Sequence, residues 1–400
     1  MFLLTLLVFI VILSTLVLIH ELGHFLVAKK LGIKVEEFGF GFPPKLWGFK
    51  KGETEYTINW LPIGGFVKLY GEDEAGAGRV QIRNSKLETR NDKEDEKRAF
   101  FAKNPWQRSL VVVAGVIMNF TLAVVLSYVL LGYTNFHTYF SCLGDTYFVG
   151  GSVEKMCDTK ILEVMPNTPA QNAGILPNSK VISVNGSLIV DSPNSFSEIV
   201  SNNKGKNMTI LLEDEKTNKQ YTVNVVPRVN PPKDQGALGI VLSGKNSVIV
   251  VSYNTPLQKV FSGFSNVINL IFAQWNGLGQ LFSESIKTRN IAPLANNVSG
   301  PVGIGIMVNG ILQIPDKQIV FITLFNLSII MSTALGFFNI LPIPALDGGR
   351  LFFIVIEAVT GKKVNQKFET TAHKIGLAIL LGLVSLITFQ DLHKLFSGFF

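Results

Sequence analysis

The sequence predicts a multi-pass α-helical membrane protein: about four transmembrane helices, a membrane-associated β segment and one soluble α+β domain on the outer side. Three observations predict it. Hydrophobic residues make up 47 % of the 400 and charged residues only 16 %, where an ordinary soluble domain carries roughly 25 % charged. Several runs without a charged side chain exceed the ~20 residues that cross a hydrocarbon core about 30 Å thick. Between those runs lie polar stretches long enough to fold outside the bilayer, in a chain that a prior of ~150 residues per domain divides into two or three units. A mean hydropathy of +0.33 excludes a disordered or fibrous chain. Two cysteines are too few for a disulfide scaffold and form no C-x-x-C pair.

The first span covers residues 1–28, broken only by His20, Glu21 and His24. It lacks a basic leader and an A-x-A-like cleavage site, so it reads as an uncleaved helix rather than a signal peptide. Residues 29–108 follow. Within them, about 36–70 alternates aromatic, β-branched and polar residues between glycines, as in Tyr56-Thr57-Ile58-Asn59-Trp60, the pattern of strands. These strands either dip towards the bilayer or form an ordinary hairpin. Residues 72–104 are charge-rich and read as a solvated loop or interfacial helix, and their mixed signs speak against a nucleic-acid patch. A second span covers 109–136, a third 318–346, and a short fourth 375–390, which reaches both interfaces only with help from flanks such as Lys374 and Asp391.

Lysine and arginine next to the spans set the orientation. Lys29, Lys30 and Lys34 follow the first span, Lys97, Arg98, Lys103 and Arg108 precede the second, and Arg350, Lys362, Lys363, Lys367 and Lys374 lie between the third and fourth. Segments 29–108 and 347–374 are then cytoplasmic and both termini outside. The long segment 137–317 falls on the outer side with Cys142 and Cys157, where a disulfide between them would persist. Leu257, Val260, Phe261, Phe264, Val267, Ile268 and Ile271 recur at helical spacing. They predict an amphipathic helix over 255–285, either on the outer membrane surface or packed against the neighbouring domain.

Ionisable residues inside a span are costly and therefore functional candidates. His20-Glu21-Leu22-Gly23-His24 reads H-E-x-x-H. On a helix, i and i+4 share a face, so two imidazoles can hold one zinc ion, with Glu21 beside them as a base. A histidine pair satisfying itself in a helix bundle is the plainer reading. His20 lies about 12 Å from the end of the span at 1.5 Å per residue. A catalytic zinc takes three protein ligands. His137, His373 and His393 are poorly placed for the third, whereas Asp347 follows two helix-ending prolines, Pro342 and Pro344, and precedes Gly348 and Gly349. An N-cap of the helix opening at Arg350 would also explain an aspartate there.

These residues resemble the site-2 protease family of intramembrane zinc metalloproteases, and most closely its bacterial regulator of sigma-E protease branch. The resemblance extends to Gly39-Phe40-Gly41-Phe42, to Leu61 through Lys68, to Arg108 through Asn119 and to Ser299-Gly300-Pro301-Val302-Gly303. It departs at Val116, where the family usually has proline. It implies a bacterial inner-membrane protein with His20, His24 and Asp347 as zinc ligands, Glu21 as general base, and Asn339, Gly64, Gly65 and Asn119 as contacts or supports for substrate. The implied substrates are single-pass membrane proteins, such as anti-sigma factors or remnant signal peptides, which unwind onto an exposed strand edge. Residues 158–245, with Ala173-Gly174-Ile175 and Val181 to Gly186, resemble one bacterial PDZ domain, serving as a receptor for peptide termini or as a steric filter. A membrane scaffold or transporter that holds metal without catalysis is the rival reading; it has no need of Glu21 between the histidines.

Overall fold

The computed structural model describes residues 2–72, 95–141, 147–156, 159–188, 193–232, 235–243, 248–289 and 298–396. The chain divides into two compact units, one of Met1–Tyr133 with Leu281–Phe400 and one of Thr134–Gln280. Cys142, Cys157 and most of the charge-rich loop lie outside the described residues.

Among the described residues, the first unit contains four helices long and apolar enough to cross a membrane. Helix α1 (Phe2–Lys30) is built inside out relative to a soluble helix. Its buried positions include Thr5, Ser14, His20, Gly23 and His24, while Leu3, Leu7 and Val11 are exposed. Lipid is as apolar as leucine, so only polar and small residues gain by facing protein. Helix α2 (Pro105–Tyr133) starts and ends earlier than the apolar run suggests, because Pro105 suits a first helical turn. It runs unbroken through Val116. Its Arg108 is buried against Glu357, 2.8 Å away, so a charge counted as a flank is neutralised inside the unit.

Between α1 and α2 a long hairpin forms from β1 (Val35–Lys51) and β2 (Thr54–Leu69). Each strand pairs twice. Residues 65–69 lie beside 35–40, these beside 54–58, and these beside 45–51, which leaves 65–69 and 45–51 as the two edges. Ser14 Oγ of α1 donates to the Pro62 carbonyl at 2.8 Å. The bend of the sheet is thus pinned about a turn and a half before His20 along α1. The outer half carries Trp47 and Trp60, 56 % and 63 % exposed, on strands whose β-branched and aromatic content favours the pleat.

Helix α3 (Pro301–Leu312) packs on α1, and Thr5 Oγ1 donates to Asn309 Oδ1 at 3.1 Å. Helix α4 (Lys317–Ile340) stops six residues short of the expected end at Leu346. Pro342 lacks an amide hydrogen and pushes Leu341 into extended backbone, φ −66° and ψ 144°. The chain then turns into α5 (Asp347–Thr360). The last helix, α6 (Gln366–Phe396), is far longer than residues 375–390. The polar residues that seemed to bound it find partners instead. His373 Nδ1 accepts from Ala345 N–H at 3.0 Å, and buried Asp391 accepts from Gly300 and Gly303 N–H at 2.9 and 2.8 Å.

The second unit holds two sheets. One is antiparallel in the order β10-β5-β6-β8-β9, with β7 paired to β6. Its strands are β5 (Lys160–Val164), β6 (Ser179–Val184), β7 (Ser187–Leu188), β8 (Met208–Asp214), β9 (Gln220–Val225) and β10 (Ile240–Ser243). Ile161, Val181, Phe196, Met208, Ile210, Leu212 and Leu238 form its core with helix α7 (Pro193–Asn202). The other sheet runs β3-β11-β4, from β3 (His137–Ser141), β4 (Ser152–Met156) and β11 (Val248–Ser252). Helix α8 (Pro256–Thr288) buries Ser262, Asn266 and Asn269 and exposes Leu257, Val260, Phe261 and Phe264. The Asn269 amide pairs with both backbone groups of Val149, at 2.8 and 3.2 Å.

Candidate metal centre

His20 and His24 share one face of α1, their ring centroids 4.8 Å apart and their planes nearly perpendicular. Asp347, at the start of α5, brings Oδ2 to 2.9 Å from His20 Nε2 and 3.2 Å from His24 Nε2. Asp347 is not the N-cap of its helix: that position is Leu346, and no side chain caps it. A carboxylate in a first turn gains from the helix dipole whichever way it points, and this one points at the histidines.

Two close approaches make the convergence possible. A Cβ on Gly115 of α2 would lie 2.4 Å from His24 Nε2 and 2.8 Å from His20 Cε1. A Cβ on Gly348 would lie 2.0 Å from the Leu341 carbonyl oxygen, so only glycine lets the chain fold back tightly enough to aim Asp347. The turn before it holds Ala345 at φ +82°, with its amide tied to His373.

The donors fit a metal. Ligand atoms of His20, His24 and Asp347 all lie within 4.8 Å of one another. Among the described residues, buried Asp347 Oδ2 has no hydrogen-bond partner, although two imidazole nitrogens stand beside it. Such an orphan is costly unless a cation supplies the missing partner. His24 Nδ1 lies 2.8 Å from the Val111 carbonyl; donating there, it leaves the Nε2 lone pair free. Two imidazoles and one carboxylate on a closed face are a zinc donor set that leaves a fourth position for water.

Glu21, His24 and Asp347 line one cavity of about 630 Å³ together with Phe66, Val67 and Lys68 of the 65–69 edge and with Glu72 and Arg350. Arg350 donates to Glu72, closing an ion pair at its wall. Gly65 is next to Glu21: a Cβ there would sit 3.5 Å from Glu21 Cγ. Gly64, at φ +86°, packs instead against Phe42. Asn339 Nδ2 approaches His20 Nε2 to 3.5 Å. Asn119, expected to touch or support substrate, is completely buried with Nδ2 2.9 Å from His20 Nδ1, so it stands behind that imidazole and away from the cavity.

Sequence reasoning missed Gly115, His373 and the Glu72–Arg350 pair. Gly115 stood in a motif already singled out, and its spacing from Asn119, one helical turn, was the available signal. His373 was set aside as a ligand; its role in holding the Ala345 turn carries no local signature.

Comparison with known proteins identifies the family. The model of peptidase family M50 matches residues 8–383. Regulator of sigma-W protease RasP of Bacillus subtilis is 30 % identical over 462 aligned positions, covering 99 % of this chain and all of that protein. Zinc metalloprotease RasP of Geobacillus kaustophilus is 29 % identical, covering 97 % of both chains. A Clostridium perfringens relative is 32 % identical over 95 % of this chain and 96 % of its own length. The chain belongs to peptidase family M50, the site-2 protease family of zinc metalloproteases.

Proposed function

We propose that the chain is an intramembrane endopeptidase that cuts single-pass membrane proteins within their spanning segments, with His20, His24 and Asp347 holding zinc and Glu21 as general base. The observation that carries this reading is Glu21 beside the three-ligand cluster, in one cavity with the unpaired edge at 65–69. Zinc, when bound, acidifies a water and polarises the scissile carbonyl. Glu21 accepts the proton of the attacking water and passes it to the leaving amine. Asn339, whose amide points at the cluster, is suited to donate to a substrate carbonyl.

A spanning helix hides its peptide bonds in its own hydrogen bonds, so it must unwind before water reaches a carbonyl. The 65–69 strand has ladder partners on one side only among the described residues. Its other edge is available to an extended substrate by β-augmentation, with Gly65 giving the backbone close access to Glu21.

The basic flanks favour a cytoplasmic 29–108 and an outer second unit. The sheet of β5 to β10 is consistent with a PDZ-like domain that filters or receives substrate, and the apolar face of α8 suits the outer bilayer surface. By analogy with the sigma-W regulator in the name of its Bacillus relative, anti-sigma factors are the leading substrate class and remnant signal peptides the next.

The deciding experiment pairs zinc content with cleavage of a reporter spanning helix in membranes. Glu21→Gln keeps the metal and loses cleavage by about 10²–10⁴-fold, whereas His20→Ala loses both. Cleavage by Glu21→Gln at the wild-type rate refutes the mechanism; zinc bound without any cleavage of spanning helices favours the transporter or scaffold reading.

A further inference from the structure

We infer that Asn119 is the positioning residue that holds His20 in the tautomer able to bind zinc, by accepting the Nδ1 proton through its amide oxygen. A neutral imidazole carries one ring proton. To offer the Nε2 lone pair to a metal, His20 must keep that proton on Nδ1, and a buried N–H without an acceptor is destabilising. His24 meets this need with the Val111 carbonyl, 2.8 Å from its Nδ1.

For His20 the group in that place is the Asn119 side chain, whose amide lies 2.9 Å from Nδ1. With Nδ2 turned towards Nδ1, the ring proton would sit on Nε2, only 2.9 Å from Asp347 Oδ2 and 3.2 Å from His24 Nε2, where a metal must bond. In that orientation Asn119 Oδ1 is also buried without a partner. A half-turn of the amide exchanges two atoms of nearly equal size. It brings the orphaned oxygen onto Nδ1–H and clears Nε2 for the metal.

Asn119 cannot be relieved by solvent or retreat from this contact. Its exposure is 0 %, and its own backbone carbonyl accepts from Ser332 Oγ of α4 at 2.8 Å. Three helices, α1, α2 and α4, therefore meet at one hydrogen-bonded chain that runs from Ser332 through Asn119 to His20. An outer partner that fixes a ligand's ring typically changes metal affinity by about 10–100-fold.

The inference rests on the zinc reading of the His20, His24 and Asp347 cluster, and the experiment separates the two. Full-length protein is purified in detergent, and zinc affinity is measured by competition with a chromophoric chelator. The variants are Asn119→Asp, which keeps an acceptor, and Asn119→Leu, which keeps the branched outline and removes it. Asn119→Leu is expected to bind zinc about 10–100-fold more weakly, with Asn119→Asp within about threefold of wild type or tighter. Equal affinity of the leucine variant and wild type overturns the inference, as does equal loss in both variants, because packing rather than acceptance then matters. Absence of zinc from wild type sinks the cluster reading itself. Should the leucine variant fail to fold, ¹⁵N-histidine NMR of zinc-loaded wild type decides. A proton on Nδ1 of His20, hydrogen-bonded and slow to exchange, supports the inference; Nδ1 as the zinc-bound nitrogen overturns it.

Discussion

At the residue scale the centre depends as much on missing atoms as on ligands. Gly115 lets α2 approach the imidazoles so closely that a methyl group would lie 2.4 Å from His24 Nε2, well inside van der Waals contact. The obstacle is a buried ring held through Nδ1 on the Val111 carbonyl, not a flexible chain end, so it cannot easily step aside. Gly115→Ala is therefore expected to lower zinc content to near the His20→Ala level while the protein still inserts in the membrane, and metal analysis of the purified variant checks it. Metal content equal to wild type would show that α1 and α2 can separate without loss. The histidine pair and Glu21 were legible because their geometry follows from helical spacing over five residues. Asp347 was legible as a candidate: an N-cap explains it equally when it is taken alone, H-E-x-x-H favours a ligand, and in the structure the N-cap is Leu346. Gly115 was not, since its importance exists only where two remote segments touch.

At the scale of elements, the sequence errs where a polar residue is satisfied by a distant partner. The apolar run of the last helix looked short because Lys374 and Asp391 bounded it. In the structure Asp391, 1 % exposed, closes on the first turn of α3 through two backbone amides, so α6 continues through it. Charge-assisted acceptance at a helix start stabilises both helices. Asp391→Ala strands those two buried amides, at about 1–3 kcal/mol each. The expected loss is about 2–6 kcal/mol in unfolding free energy, seen as an earlier midpoint in mixed-micelle SDS titration. Asp391→Asn, which keeps one acceptor, should fall between. An unchanged midpoint for the alanine variant would mean that the α3–α6 contact contributes nothing net. The end of α4 shows the reverse: Pro342 announced it in the sequence, and the apolar content of 341–346 concealed it.

At the scale of the whole molecule, hydropathy reported the four long helices, and the division into two units follows the change from apolar to polar composition near 134. Hydropathy could not report how the segments between the first two spans are tied together, because that depends on charges far apart in the sequence. Glu53, in the turn between β1 and β2, receives both Arg98 nitrogens at 2.7 and 2.8 Å and Lys29 at 2.8 Å. Three segments are joined there: the end of α1, the hairpin turn and the approach to α2. The Arg98 hydrogen bonds, helped by Lys29, hold the Glu53 carboxyl at about 2 against an ordinary 4.5. Because the folded value is the lower one, the unfolded chain binds the proton more readily, and acid favours unfolding. The contribution is whole above about pH 5, falls as pH drops through 4.5, and is gone below about 2. Partial solvent exposure limits it to about 1–2 kcal/mol. Thermal unfolding of wild type and Glu53→Gln between pH 2 and 7 measures it. Wild type should be the more stable at pH 7, with the gap shrinking through the acid range and closing near pH 2. A gap that stays constant with pH would show that the glutamate acts by shape and hydrogen bonding alone; one that widens in acid would reverse the sign of the linkage and remove the ion cluster as its cause.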